Sequence, residues 1–190
     1  MPPQAVASKL PEKLPKPRKR WARRALVLLL VVLAAGLLWP EDAVIPVQGA
    51  RTTDWNPRTF WHAPWGASGV HKGIDIFAPQ GRPVVAAVSG LVLYAGTLPR
   101  GGHVALVLGP RWRVHYYAHL QHAPALRTYW VRQGDVLGAV GTSGNAVGKA
   151  AHLHYSVMSL LPLPWRYSTA PQGWKQMFYL NPGAVIAPAS

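Results

Sequence analysis

Between residues 51 and 160 no stretch keeps a 3.6-residue apolar period over eleven residues. That excludes a helical bundle for the folded part of the chain and restricts it to β architecture. In its place come short runs rich in Val, Leu and Tyr: 83–89, 91–96, 103–108, 113–120, 135–140 and 152–158. Residues of these types pack well on a pleated, half-buried surface. Glycine and proline punctuate the runs, at Ser89-Gly90, Arg100-Gly101-Gly102, Gly109-Pro110 and from Gly141 to Gly148. Short strands at this spacing predict an all-β, mainly antiparallel fold, a two-layer β-sheet or open sandwich. After Leu160 the pattern degrades into an irregular covering segment, and "NPGAVI" reads as a final short element.

The N-terminal region has a different character. Residues 1–24 hold eight basic residues and one acid, which accounts for +7 of the net +14. Residues 25–39, "ALVLLLVVLAAGLLW", carry no charge and are bracketed by Trp21 and Trp39. A basic flank beside an apolar run predicts a membrane segment with its N-terminus inside and the rest of the chain translocated. A cleaved signal peptide needs small residues just after the apolar run. Pro40-Glu41-Asp42 suit that poorly, and an uncleaved anchor is the favoured reading. The expected organisation is a basic cytoplasmic tail (1–24), a transmembrane signal-anchor (25–39), a linker (40–50) and a folded domain (51–190). The apolar run accounts for the basic tail, so no nucleic-acid partner is expected. The remaining +7 suits either an anionic polymer outside the membrane or an ordinary solvated surface. The chain has no cysteine, which rules out disulfides and thiolate chemistry and fits an oxidising compartment.

Eight histidines, at 62, 71, 103, 115, 119, 122, 152 and 154, are more than a β domain needs for packing. His152 and His154 lie two apart in "AHLHYSVM", so both side chains point to one face of a strand. Spacing alone lets either of them, or both, ligate one ion. His71 and Asp75 stand in "GVHKGIDIFAPQG". Gly73, Ile74, Ile76 and Pro79 disfavour a helix there and predict an extended or looped segment. Asp75 between two isoleucines is expected to be buried, and a buried carboxylate is paired or binds a metal. His119, in "HYYAHL", shares one strand face with Tyr117 and His115 by simple alternation. Two imidazoles and one carboxylate leave a fourth tetrahedral position open on zinc, as catalytic sites do. The same donors also describe non-haem iron oxygenases, whose ligand spacing fits less well.

"HKGIDIFAPQGRPVVAAVSG", "YYAHL" and "GDVLGAVGTSGNAVGKAAHLHYSV" together resemble the lysostaphin/LytM family of zinc endopeptidases. The resemblance covers about residues 66–160. It implies a two-layer antiparallel fold with an active-site groove. It also implies zinc held by His71, Asp75 and His154, with His119 and His152 as the catalytic pair. Which of that pair is the base stays open. The implied activity is hydrolysis of peptide bonds in peptidoglycan stem peptides or cross-links, by a single-pass protein of the bacterial cytoplasmic membrane with its catalytic domain on the periplasmic side. The alternative is a non-enzymatic wall-binding scaffold that activates another cell-wall hydrolase. The expected partners are peptidoglycan and the inner membrane, with a regulatory protein left open. His103 departs from the pattern and is read as incidental. The tryptophans at 55, 61 and 65 either wall the groove or pack on the sheet, packing being favoured.

Overall fold

The computed structural model describes residues 19–126 and 128–186. The first eighteen residues of the basic tail lie outside them. Helix α1 runs over Lys19–Leu38, starting ahead of the apolar run, so Arg20, Arg23 and Arg24 occupy its first turns. Twenty helical residues span about 30 Å, the thickness of a hydrocarbon core. By length and composition α1 can cross a membrane; a signal sequence meets the same criterion.

Among the described residues the β unit contains nine strands: β1 (Ile74–Phe77), β2 (Pro83–Val85), β3 (Gly90–Leu98), β4 (Gly102–Gly109), β5 (Arg113–Leu120), β6 (Trp130–Val131), β7 (Val136–Ala139), β8 (His152–Ser159) and β9 (Tyr179–Leu180). Seven form one sheet in the order β1-β8-β5-β4-β3-β6, with β9 also on β8; β2 and β7 form a second, two-stranded sheet. Every pairing is antiparallel. β1 covers 152–155 of one β8 edge and β9 covers 157–158. β6 and β9 have two residues each, too few for a periodic signal. The final short element in "NPGAVI" is a helix: Pro182–Ile186 forms α2, and Pro at the first helical position is already set for helix.

The small sheet packs on one face of the large one. Ile74, Ile76, Val107, Leu153 and Tyr155 of the large sheet meet Val84 and Leu137 of the small sheet in a single buried cluster. Each such side chain contributes roughly 1.5–3 kcal/mol by leaving water. Tyr117 is fully buried here, and its hydroxyl accepts a hydrogen bond from the Ala87 N–H at 2.9 Å, which ties the two layers together. The stretch expected as a linker is built into this layer. Val47 is buried and bridges Val84, and the backbone of residues 44–48 pairs with 83–87. The Glu41 side chain is also buried; it pairs with Arg113 and lies 3.2 Å from His115 Nε2, and His115 in turn bonds the Tyr155 hydroxyl at 2.7 Å. The opposite face of the large sheet is left uncovered as a groove.

Candidate active site and metal centre

Antiparallel register brings the groove side chains together. Asp75 on β1 lies directly opposite His154 on β8, and His154 directly opposite Ala118 on β5. Residues paired this way share one face, with Cβ atoms ≈ 4.5–5.5 Å apart. His152, His154, Ser156 and Met158 alternate onto the groove, and Leu153, Tyr155 and Val157 onto the core. On β5 the same alternation sends Tyr116 and Ala118 to the groove and Tyr117 to the core.

His119 does not follow that alternation. By simple period it would join His115 and Tyr117 in the core, as the sequence suggests. Instead β5 carries an extra residue where His103 pairs Leu120 and Ala105 pairs Tyr117. His119 itself has φ +64°, a left-handed conformation uncommon for a residue with a Cβ. A β-bulge re-aims a side chain, and this one turns His119 into the groove. Its Nδ1–H donates to the Ser143 carbonyl at 2.8 Å. Strain of this kind persists where the surroundings over-determine it, and it clusters at functional sites.

His71 sits in the loop before β1, held by backbone pairing with residues 61 and 62. Its Nδ1–H donates to the Thr59 carbonyl at 3.1 Å, so its Nε2 carries a bare lone pair whenever the ring is neutral. Trp65 stacks on the ring at 4.1 Å, with an interplanar angle of 17°. The sequence favoured packing for the tryptophans, and Trp55 does lie in the core; Trp65 lines the groove and sets the plane of His71. Gly73 is required by close approach. A Cβ there would lie 2.4 Å from the Tyr155 carbonyl oxygen and 2.9 Å from His154 Cε1.

Three donor atoms converge. Asp75 Oδ1 lies 3.1 Å from His71 Nε2 and 2.8 Å from His154 Nδ1, and the two nitrogens are 3.1 Å apart. Tetrahedral bonds of about 2.0–2.1 Å to zinc would separate ligand atoms by about 3.3 Å. On His154 the other ring nitrogen, Nε2, lies 3.1 Å from Ser156 Oγ. When that hydroxyl accepts the Nε2–H, Nδ1 is bare. Two nitrogen lone pairs and a carboxylate then face one point, which suits a cation and makes a poor purely protein-bonded cluster. The donor set fits zinc: two imidazoles, one carboxylate and an open side toward the groove. Burial raises the Asp75 pKa, but with no ion bound the neighbouring His154 and His71 imidazoles, each of which can carry a proton toward it, outweigh burial and hold the carboxyl well below its usual range. Burial lowers the pKa of His154.

His152 flanks this triad. Its Nδ1–H donates to the Ala150 carbonyl at 2.7 Å, and its Nε2 lies 3.9 Å from Asp75 Oδ1. The rings of His119 and His152 meet edge to face at 5.1 Å. Burial, with the nearby His154, pushes His119 down to about 4. Tyr116 lines the floor with its phenol pushed up to about 12 by burial, so it stays a neutral hydroxyl. All five residues singled out in the sequence, His71, Asp75, His119, His152 and His154, therefore line one groove of about 730 Å3. The groups that orient them were missed. Thr59, Ser143 and Ala150 act through backbone carbonyls, which every residue carries; only Ser156, two past His154 on the same strand face, left a signal. His103 bonds Thr97 at 2.9 Å and is not among the groove-lining side chains, while His115 is absorbed by the Glu41 cluster.

Residues 69–162 match the model of Peptidase family M23. The chain is 32% identical over 122 residues to the cell division protein DipM of Caulobacter vibrioides, covering 62% of this chain and 20% of that protein. It is 36% identical over 114 residues to an L-Ala–D-Glu endopeptidase of Bacillus subtilis, covering 55% and 35%. The chain thus spans only about a fifth to a third of these curated relatives. Among solved structures, the catalytic domain of the antimicrobial peptidase lysostaphin from Staphylococcus simulans superposes with a TM-score of 0.52 at 25% identity, covering 65% of this chain and 85% of that one.

Proposed function

Because residues 69–162 make this chain a member of peptidase family M23, we propose that it is a zinc-dependent endopeptidase that hydrolyses peptide bonds in peptidoglycan stem peptides or their cross-links. The observation that carries this reading is the convergence of His71 Nε2, Asp75 Oδ1 and His154 Nδ1 within about 3 Å of one another at the base of an open groove. Zinc held by those three atoms would supply Lewis acidity, lowering the pKa of a water to about 7 and polarising a carbonyl.

The chain's own residues supply the rest. The groove, lined by the turn at 66–68 and by Asn145, Lys149 and Ala150 among others, receives the substrate peptide. His119 and His152 each spend Nδ1–H on a backbone carbonyl, which fixes the ring and leaves Nε2 as the working nitrogen. One imidazole, bare at Nε2, takes the proton of the attacking water and passes it to the leaving amine; the other, when protonated, donates its Nε2–H to the oxygen on which negative charge develops. Helix α1, with its basic flank, holds the domain at the outer face of the cytoplasmic membrane, within reach of the wall. A non-enzymatic scaffold has no need of a complete donor triad with two oriented imidazoles beside it.

The test is digestion of purified sacculi by the zinc-loaded full chain in detergent, with the released muropeptides identified by mass spectrometry. Cleaved stem peptides or cross-links are expected from the wild type and none from His154→Ala. Undiminished cleavage by His71→Ala or His154→Ala would overturn the reading.

A further inference from the structure

The groove is lopsided in charge. Among the described residues that line it, Asp75 is the only acid, whereas Lys72, Arg100 and Lys149 all contribute. Two of these cations are fixed by one short turn. Lys72 Nζ donates to the Ser68 carbonyl at 3.1 Å and more weakly to that of Val70 at 3.5 Å. Arg100 Nη1 donates to the neighbouring Ala67 carbonyl at 3.2 Å. Successive carbonyls of the 66–68 turn thus bring an ammonium and a guanidinium together. Gln172 braces the same turn, donating through Nε2 to Ser68 O at 2.9 Å while its Oε1 accepts from Lys175 Nζ at 3.1 Å. A third cation therefore backs the pair, and no carboxylate neutralises it among the described residues.

These bonds leave capacity unused. An ammonium has three donors and a guanidinium five, so both groups keep N–H bonds for a ligand. Both sit beside the reacting centre: Lys72 follows His71 in the chain, and the carbonyl of Gly101, next to Arg100, accepts the His119 N–H at 2.8 Å. Like charges crowded without a counter-ion repel one another, and an incoming anion relieves that. Arg with Lys in this arrangement suits a carboxylate, which forms charge-assisted hydrogen bonds with both.

We propose that Lys72 and Arg100 form a carboxylate-binding subsite that makes the groove select peptides bearing a free carboxylate close to the scissile bond over neutral peptide bridges. The proposal deepens the peptidase reading and rests on it for the identity of the ligand. One charge-assisted contact pair at a partly exposed site changes affinity by about tenfold. The preference weakens as salt is raised, since the site opens to solvent.

Binding is measured by titration calorimetry on the metal-free full chain in detergent, so that cleavage plays no part. The probes are three versions of a synthetic peptide L-Ala-γ-D-Glu-L-Lys-D-Ala: both carboxyls amidated, the Glu α-carboxyl free, and the C-terminal carboxyl free. At least one acid is expected to bind about tenfold more tightly than the diamide. In the Lys72→Gln/Arg100→Gln double variant all three are expected to bind as the diamide binds wild type. Equal affinities in the wild type would overturn the subsite. So would a double variant that weakens all three alike, because that signifies a disordered turn and no selective contact. The two readings fail separately. Sacculi cleaved without acid preference sink the subsite alone, and acid preference without any cleavage sinks the peptidase while the subsite stands.

Discussion

Ser156→Ala isolates the part of the metal centre that is set by a neighbouring hydrogen bond. Ser156 is only 3% exposed, and its hydroxyl lies 3.1 Å from His154 Nε2. Accepting the Nε2–H holds the tautomer in which Nδ1 is free to ligate. Without the hydroxyl that N–H loses its partner, and the competing tautomer, with the proton on Nδ1 and donated to Asp75 at 2.8 Å, becomes the better one. Removing an orienting partner of this kind typically weakens metal binding by about 10–100-fold, or about 1.4–2.8 kcal/mol. At zinc 100 times the wild-type Kd, binding stabilises the fold by about 2.7 kcal/mol. For the variant at the same zinc concentration that figure falls to about 1.4 kcal/mol at a tenfold loss and about 0.4 kcal/mol at a hundredfold loss. Competition against a chromophoric chelator gives the Kd directly, and thermal melts with and without zinc give the stabilisation. Ser159→Ala is the control: it removes a hydroxyl from the same strand, one that donates to Leu161 O, and should leave zinc affinity unchanged. A folded Ser156→Ala protein whose zinc Kd lies within twofold of wild type would refute the reasoning.

Tyr117→Phe removes the acceptor of the Ala87 N–H inside the core and should cost about 1–3 kcal/mol in denaturant unfolding, with no change in zinc affinity. His119→Ala should retain one zinc per chain while muropeptide release falls by about 10²–10⁴-fold; loss of zinc in parallel would show His119 to be a ligand. In the metal-free protein burial holds His119 neutral down to about 4, against about 6.5 when unfolded. Between those values the unfolded state binds more protons, so stability should be complete above about 6.5 and fall as pH drops toward 4. A His119→Gln variant should show a shallower loss over that window, and an identical slope would sink this attribution.

What could be read from residue order was what local chemistry controls. Val, Leu and Tyr runs cut by glycine and proline determine strands, because alternation and turn chemistry act over a few residues. The pair at 152 and 154 must share a face for the same reason, and Gly73, Ile74 and Ile76 sufficed to refuse a helix around Asp75. The +7 flank beside an uncharged run likewise marked out the N-terminal helix without any fold. Beyond that, the motifs carried the site by resemblance, and spacing alone could not separate His152 from His154. Tertiary structure decided what depends on partners distant in the chain. Register sets Asp75 opposite His154, the loop carbonyl of Thr59 chooses the tautomer of His71, and the linker residues from Glu41 to Gln48 join the domain because Val84 and Arg113 await them. The bulge that swings His119 out of the core is the plainest case. Its period of two predicts the wrong face, and only pairing with β4 and the contact to Ser143 make a left-handed histidine the lower-energy choice.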